Sequence, residues 1–138
     1  IQYSIGKVNW KTGLRLKSAR DKIQDHFLLL YCDNYWPLVL NHLSEFHENH
    51  GKKATVTVFS NSDGTTKNNM HVDKEGIVLK YDKERLSDNL NCVEIGFFIM
   101  GKDLIHELPD GNYPFEKVLL PTPESPATPK TMARLPKR

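Results

Sequence analysis

The chain has 138 residues, of which 38% are hydrophobic and 26% are charged, a composition typical of one soluble globular domain with its own core. No apolar run approaches the length of a membrane span and no signal peptide is recognisable, so we expect no contact with a membrane. The net charge is +2, but residues 122–138 hold four basic side chains and one acidic one, which leaves residues 1–121 at −1. Because the body of the chain lacks a basic footprint, we expect no nucleic-acid partner.

The first half of the chain reads as alternating strands and helices. Leu16, Ala19 and Ile23 repeat at helical spacing, and Thr12 can cap the helix they define. Pro37 can open a second helix, which Gly51 can close. The elements predicted here are a short strand at residues 2–5, a helix at 12–24, a strand buried on both faces at 26–32, a helix at 37–50, and a second buried strand at 54–59.

The second half continues the pattern with an inserted hairpin. The elements predicted here are a polar loop at residues 61–69, a hairpin at 70–73 and 77–81, a charged loop at 83–91, an apolar strand at 93–100, and helical turns at 102–107 and 115–120. Five of the eight prolines lie in residues 121–138, where apolar periodicity ends. We therefore predict a folded α/β domain at residues 1–121 and a disordered tail at 122–138.

The most informative segment is the apolar run that ends in Asp33. Residues 27–32 are apolar and the next residue is an acid. Open α/β sheets place ligands beyond the ends of their strands, and a carboxylate there can hold Mg²⁺ and, through it, a phosphate. The alternative is an acid that caps the helix near Pro37 or is simply solvated.

Four other groups of residues carry side chains that are suited to binding or catalysis. Asp82 and Lys83 follow a strand, where Lys suits a phosphate and Asp a hydroxyl, although a solvated charged turn is the commoner explanation of such residues. Glu94 lies inside an apolar strand, so it either has a partner or a pocket, or it faces outward. The candidates that we interpret as non-functional are the histidines of a solvated helix face (His42, His47 and His50, beside Glu45 and Glu48) and two buried free thiols that fit a reducing cytoplasm (Cys32 and Cys92).

Several common catalytic motifs are absent from the sequence. It has no G-x-G-x-x-G pattern, no Walker A loop and no G-x-S-x-G elbow. Nothing in these residues cradles a triphosphate through a glycine-rich backbone.

Five segments, in order, resemble the middle of a sugar-1-phosphate nucleotidylyltransferase. They are Ile1-Gln2-Tyr3-Ser4 with Lys11-Thr12-Gly13, the run Phe27-Leu28-Leu29-Leu30-Tyr31-Cys32-Asp33, the hairpin end Tyr81-Asp82-Lys83, the strand Val93-Glu94-Ile95-Gly96, and Phe115-Glu116 followed by Pro121. The resemblance implies an incomplete α/β fold, a three-layer Rossmann-like mixed sheet with a β-hairpin insertion. It also implies a sheet that lacks its first strand and exposes an edge, with some risk of homo-oligomerisation.

The resemblance further implies a chemistry and a set of site residues. A sugar 1-phosphate attacks the α-phosphorus of a nucleoside triphosphate (NTP), pyrophosphate leaves, and Mg²⁺ with cationic side chains neutralises charge. Guanosine with a mannose- or heptose-type sugar is the expected pair, serving polysaccharide synthesis in the cytoplasm. The residues carried over are Asp33 as the metal ligand, Thr12 and Gly13 near the nucleotide, Lys83 on the sugar phosphate, Asp82 on a sugar hydroxyl, and Glu94 in the sugar pocket.

Departures from the family pattern limit this expectation. Cys32 and Lys11 stand where Gly is usual, Asp82 replaces Glu, and Glu94 replaces Asn. The family's glycine-rich triphosphate loop and its second metal-binding Asp are not found in these residues. We therefore expect this chain by itself to be inactive or nearly so. The alternative is a non-catalytic module that binds or senses a sugar phosphate.

Overall fold

The computed structural model of the chain describes residues 1–123 and 131–134. The elements in order are helix α1 (Thr12–Ala19), a 3₁₀ turn (Arg20–Lys22), strand β1 (His26–Leu30), helix α2 (Leu40–His50), strand β2 (Ala54–Phe59), strand β3 (Met70–Val72), strand β4 (Val78–Tyr81), strand β5 (Val93–Gly101), helix α3 (Asp103–His106), helix α4 (Glu116–Leu119) and strand β6 (Thr131–Arg134).

The strands form a mixed four-stranded sheet and a separate hairpin. The sheet has the order β1-β5-β2-β6, and β3 pairs with β4 in the hairpin. Strand β5 is antiparallel to both β1 and β2, whereas β6 runs parallel to β2. The predicted mixed α/β sheet with a hairpin insertion is confirmed.

Helices cover both faces of the sheet, which makes three layers. Val56, Phe98 and Leu29 lie opposite one another on three neighbouring strands, so they share a face. That face packs against α1 and the α4 region in one core, where the rings of Phe98 and Phe115 meet edge to face at 5.4 Å. Thr55 points to the other face, where α2 contacts it. None of the described helices is long and apolar enough to cross a membrane.

The largest differences between the predicted elements and the structure are three. Residues 2–5 form no strand, because no neighbouring strand pairs with their backbone in the described part of the chain. The first helix ends at Ala19 and tightens into the 3₁₀ turn, and Ile23 is already extended. The second helix begins at Leu40 instead of Pro37, because the Leu38 N–H donates to the Trp36 carbonyl at 2.8 Å in a tight turn that a helix cannot contain.

Two predictions about burial are wrong, and both concern the edge of the sheet. Strand β1 is half-buried instead of buried on both faces, because β5 is its only partner in the described sheet. Cys32, just beyond it, is therefore exposed, whereas Cys92 is buried as expected and both thiols are free. Burial raises the pKa of the Cys92 thiol to about 12.

Part of the predicted disordered tail has regular structure. Thr131–Arg134 form β6, and the Arg134 guanidinium lies over the Phe46 ring at 4.8 Å. The sequence could not show this, because four residues are too few for a periodic pattern. Residues 124–130 and 135–138, the rest of that predicted tail, lie outside the described residues.

The histidines of α2 are not a solvated face, which corrects that prediction. His47 is only 8% exposed, and its Nδ1 lies 2.9 Å from the Thr55 hydroxyl. The Nε2 of His50 lies 2.7 Å from the same hydroxyl, and the His50 Nδ1 accepts the Lys52 N–H at 2.9 Å. His42, in contrast, is exposed.

Counting protons assigns the tautomer of each ring in this network. Because the His50 Nδ1 accepts a hydrogen bond, neutral His50 carries its proton on Nε2 and donates it to Thr55. The single hydroxyl proton of Thr55 is then free to be donated to the His47 Nδ1. His50 must be neutral for its Nδ1 to accept the Lys52 N–H, and His47 must be neutral for its Nδ1 to accept the Thr55 proton in this arrangement. Burial, followed by repulsion from a neighbouring histidine, lowers the pKa of both.

We expect this network to make stability depend on pH. The folded-state pKa of His47 lies below its ordinary value of 6.5. The contribution of His47 to the free energy of unfolding is therefore complete above about pH 6.5. It is lost as the pH falls, because the unfolded chain takes up a proton on His47 before the folded chain does. Urea unfolding at pH 7.5 and pH 5.5 should show the wild type losing stability relative to His47→Gln. His42→Gln, at an exposed position of the same helix, should track the wild type at both values. An equal effect of both substitutions would contradict the network.

Candidate functional site

A bulge in β5 holds Glu94 in place at the end of the sheet. The pairing with β2 shifts between Val56, which lies opposite Phe98, and Val58, which lies opposite Glu94. Gly96, inside this bulge, has φ of +85°. A side chain there would bring its Cβ to 2.8 Å from the Tyr31 ring, so only glycine fits without strain.

The carboxylate of Glu94 is half-buried and has partners. It accepts the Gly96 N–H, and the Glu94 N–H donates to the Asn69 side chain at 2.8 Å. Burial raises the pKa of Glu94 to about 7 against the opposing effect of the Gly96 hydrogen bond. Of the two readings left open by the sequence, the partnered acid is the one observed.

Three of the predicted site residues affect one another electrostatically. The negative charges of Glu116 and Asp33 raise the pKa of Glu94 further, and the positive charge of Lys83 lowers it. Asp33 and Lys83 are both exposed.

Hydrogen bonds show that the three residues lie close together. The side chain of Asn34, which follows Asp33, donates to the Ile95 carbonyl at 3.2 Å. Asn69 accepts the N–H of Glu94 and the N–H of Asp82, each at 2.8 Å. Asp33, Lys83 and Glu94 therefore lie at one end of the sheet. The chemical roles assigned to them stay predictions.

A buried carboxylate, Glu116, links the elements around this end of the sheet. It is 6% exposed and accepts hydrogen bonds from the Tyr31 hydroxyl and, at 3.2 Å, from the Thr12 hydroxyl. The Thr12 oxygen in turn accepts the Phe115 N–H at 3.1 Å. Burial and the bond to Glu116 raise the pKa of Tyr31. This chain of bonds ties the start of α1 and the end of β1 to α4.

Thr12 and Gly13 have a packing role that the structure makes explicit. The Gly13 N–H donates to the Tyr113 carbonyl at 3.0 Å, and an added Cβ would lie 2.7 Å from that same oxygen. Both residues therefore dock α1 against the chain at residues 113–116. The nucleotide contact predicted for them stays a prediction.

Asp82 organises the loop that follows β4. Its two carboxylate oxygens accept four backbone N–H groups within 3.1 Å, those of Glu84, Arg85, Leu86 and Ser87. Burial opposes its ionisation, but the hydrogen bonds from Ser87 and the backbone outweigh it and lower the pKa. Asp82 is only 6% exposed, so the charged turn is observed but this side chain is not solvated within it. The turn also presents the neighbouring Lys83 to solvent, and the predicted contact of Asp82 with a sugar hydroxyl stays a prediction.

Sequence reasoning missed three residues of this site: Tyr31, Gly96 and the buried Glu116. A hydroxyl at the end of an apolar run needs a hydrogen-bond partner, which was a usable sign for Tyr31. An acid between Phe115 and the apolar residues 118–120 was a similar sign for Glu116. Nothing local marks Gly96, because its constraint comes from Tyr31, which is distant in sequence.

The donor set suits a lightly held Mg²⁺ and no dedicated metal cage. Among the described residues, no group of three or more His, Cys, Asp or Glu side chains can hold a metal ion. Mg²⁺ commonly keeps its waters and binds through one or two carboxylates together with substrate phosphates. The exposed carboxylate of Asp33 fits that mode.

The fold and site define an α/β protein with charged residues grouped at the end of its sheet, and known proteins resemble it. No protein-family model matches the chain. It is 32% identical over 111 residues to a protein of Bacillus subtilis (strain 168) described as a probable glucose-1-phosphate cytidylyltransferase. That match covers 79% of this chain and 42% of the relative.

Solved structures share the fold. HddC from Yersinia pseudotuberculosis, also solved in complex with GMP-PN, superposes with a TM-score of 0.67 at 17% identity, covering 94% of this chain and 55% of HddC. The sequence match to the Bacillus subtilis relative confirms the predicted resemblance to sugar-1-phosphate nucleotidylyltransferases. The chain spans about half the length of the relatives that it matches.

The first prediction from this site concerns Tyr31. Tyr31→Phe removes a donor from the buried Glu116 carboxylate, which should lower the free energy of unfolding by about 1–3 kcal/mol. Tyr35→Phe is the matched control, because that ring is 89% exposed. Chemical denaturation of the three proteins measures the difference. Equal stability of Y31F and wild type would show that the Tyr31–Glu116 bond contributes nothing.

The second prediction concerns Gly13. Gly to Ala inside a helix normally stabilises by about 1 kcal/mol. Here the sign should reverse, with a loss of about 1–3 kcal/mol, because the new methyl group would lie 2.7 Å from the Tyr113 carbonyl oxygen and 2.9 Å from the ring of the same residue. Thermal unfolding of Gly13→Ala beside Ser18→Ala, an exposed position of the same helix, tests it. A stabilised G13A variant would refute the close contact.

Proposed function

We propose that this chain is the sugar-phosphate and metal side of a nucleotidylyltransferase, which makes a nucleoside-diphosphate sugar from an NTP and a sugar 1-phosphate. The observation that carries the proposal is the grouping of Asp33, Lys83 and Glu94 at one end of the sheet, in a chain that is 32% identical over 111 residues to a probable glucose-1-phosphate cytidylyltransferase. In the reaction, a phosphate oxygen of the sugar 1-phosphate bonds to the α-phosphorus. The bond from that phosphorus to the oxygen bridging to the β-phosphorus breaks, and pyrophosphate leaves with the electron pair.

The residues of this chain would bind and orient the acceptor. Lys83, exposed beside the loop that Asp82 organises, would contact the phosphate of the sugar 1-phosphate. Glu94 is held by the bulge, so its carboxylate would accept hydrogen bonds from sugar hydroxyls. Asp33 would hold Mg²⁺, which supplies Lewis-acid neutralisation of phosphate charge when bound. Holding the nucleophile at a fixed angle is the main contribution open to these side chains.

For the base and sugar, we propose guanosine and a mannose- or heptose-type sugar. The support for guanine is the GMP-PN complex of HddC, whereas the name of the Bacillus subtilis relative favours cytidine and glucose. The same proposal assigns the chain to the supply of sugar nucleotides for surface polysaccharide. It also places the chain in the cytoplasm, because the free thiols of Cys32 and Cys92 suit a reducing compartment.

We further propose that the 138-residue chain by itself catalyses this reaction slowly or not at all. It corresponds to 42–55% of the relatives' lengths, and no glycine-rich triphosphate loop occurs in it. Stabilisation of the charge passing to pyrophosphate is a large part of such catalysis, and losing a single donor of this kind typically costs about 10²–10³ in rate.

Calorimetric titration with mannose 1-phosphate and glucose 1-phosphate, each with and without Mg²⁺, tests the binding role. We expect binding to depend on Mg²⁺ and to weaken at least about tenfold in Asp33→Ala, roughly the loss of one charge-assisted contact. Glu45→Ala, an exposed acid on the opposite face of the sheet, should bind as the wild type does. Metal-independent binding that D33A leaves unchanged would favour a non-catalytic module instead.

Pyrophosphate release tests the catalytic part separately. With GTP or CTP and each sugar 1-phosphate, the chain alone should remain near the uncatalysed background. Robust turnover would overturn the proposed dependence on a triphosphate loop from elsewhere.

A further inference from the structure

A cavity of about 710 Å³ lies at the opposite end of β1 from Asp33. Three connections surround it: residues 25–26 before β1, residues 51–53 between α2 and β2, and residues 101–103 after β5. The Gly101 N–H donates to the Lys53 carbonyl at 3.2 Å, which joins the second connection to the third. The Lys102 N–H donates to the Asp25 carbonyl at 2.7 Å, which joins the third to the first. Since β1 is five residues long, about 17 Å of strand separates this cavity from the end that carries Asp33.

His47 is the buried side chain of this cavity, at 8% exposed. Its Nδ1 accepts the Thr55 proton, so the neutral ring carries its own proton on Nε2. No side chain or carbonyl in the described part of the protein accepts that proton. Every fully buried side-chain nitrogen or oxygen of the described residues has a hydrogen-bond partner, so this Nε2 is reached from the cavity. A donor without a partner on a side chain more than nine-tenths buried indicates that the cavity can hold an acceptor.

The lysines of this cavity are less exposed than its acids. Lys52 and Lys102 are half-buried, and within residues 1–123 and 131–134 neither forms an ion pair. The acids that line the cavity are all exposed: Asp25, Glu48 and Asp103. Asp103 is already paired with Lys53 at 2.9 Å. Because exposed charges are screened more strongly than half-buried ones, the inner part of the cavity favours a negative charge.

The side chains also suit an anion better than a cation. Among the described residues, no group of three or more His, Cys, Asp or Glu side chains can hold a metal ion. Two ammonium groups and an imidazole N–H are hydrogen-bond donors that match the oxygens of phosphate or sulfate. The exposed ring of His26, whose centroid lies 5.8 Å from that of His47, adds a second imidazole. The volume falls in the range of ligand pockets, so the molecule that carries the anionic group also has room.

We propose that this cavity binds a phosphate-type oxyanion through the His47 Nε2–H and the ammonium groups of Lys52 and Lys102. The group recognised is a tetrahedral dianion, carried by inorganic phosphate or by a phosphate monoester. Asp33, Lys83 and Glu94 take no part in this site, so it and the proposed function can fail independently.

Anion binding at His47 is linked to proton uptake. A negative charge beside the ring favours the imidazolium, whose Nδ1–H can donate to the Thr55 oxygen instead of accepting its proton. Charged and titratable groups face His47 from every surrounding connection: His50 and Glu48 of α2, Asp25 and His26 beside β1, Lys52 and Lys53 before β2, and Lys102 and Asp103 after β5. Histidine is the residue type among them that ordinarily changes charge near neutral pH. The affinity for the anion therefore rises as the pH falls.

Calorimetric titration with sodium sulfate tests the site, because sulfate keeps its charge between pH 7.5 and pH 6.0. We expect His47→Gln to weaken binding at least about tenfold, roughly the loss of one charge-assisted contact. Wild-type binding should tighten at least about threefold from pH 7.5 to pH 6.0, and this change should be smaller in H47Q. His42→Gln, at an exposed position of the same helix, should behave as the wild type does.

Lysine variants keep the test decisive if H47Q is unstable. Lys102→Ala leaves the His47–Thr55 hydrogen bond in place and should weaken sulfate binding at least about threefold. Lys67→Ala removes the same charge at an exposed position away from the cavity and should have no effect. Sulfate binding that Lys83→Ala abolishes and that H47Q and K102A leave unchanged would overturn the proposed site, because the ion would then lie at the other end of the sheet.

Two further ligands identify the source of the anion. Inorganic phosphate and glucose 6-phosphate are titrated at pH 7.5 into the wild type and H47Q. Tighter binding of glucose 6-phosphate indicates a phosphate monoester and equal binding indicates free phosphate, and either result supports the site if H47Q weakens both. Failure of sulfate, phosphate and glucose 6-phosphate to bind, or binding of all three that H47Q and K102A do not weaken, would show that the cavity is not an anion site.

Discussion

The buried carboxylate of Glu116 is the constraint on which the end of the sheet depends. It takes one hydrogen bond from Tyr31 and one from Thr12, so it fixes the end of β1 and the start of α1 with a single group. A carboxylate taken out of water is costly unless donors replace its hydration. Asp33 lies two residues after Tyr31, so its position depends on the hydrogen bond that the Tyr31 hydroxyl donates to Glu116. The site is arranged by an acid that does not itself face solvent.

The strand ends of this protein could be predicted from sequence, but the neighbours of each strand could not. The run before Asp33 marked a strand correctly, because a continuous apolar stretch ending in an acid is a local pattern. The same run suggested burial on both faces, which is wrong, because burial depends on a second neighbour that no local pattern describes. Residues 131–134 show the converse case, in which a short segment without a strand pattern pairs with β2 as a parallel neighbour.

The contacts of individual side chains also depended on neighbours that no local pattern describes. Lys83 could be singled out from its place after a strand and Glu94 from its place inside an apolar strand, and the structure groups them with Asp33. His47 was misjudged, because a histidine on a helix looks solvated until the threonine that receives it is known. Thr12 and Gly13 were singled out for a ligand, and their contacts within the protein are with residues 113–116, about a hundred residues further along the chain.

The bulge at Gly96 has a consequence for how such a site can change. Gly96 packs against the Tyr31 ring, and its N–H donates to the Glu94 carboxylate. One backbone position therefore fixes both the segment that carries Asp33 and the strand that carries Glu94. A different side chain at position 94 would still have to accept a hydrogen bond from the Gly96 N–H. Any shift of the Gly96 backbone would displace the Tyr31 ring. Under the proposed function, the acceptor contact of Glu94 and the metal contact of Asp33 would therefore be mechanically coupled. A single substitution at position 94 or 96 would disturb both contacts, and a second substitution would be needed to restore the other one.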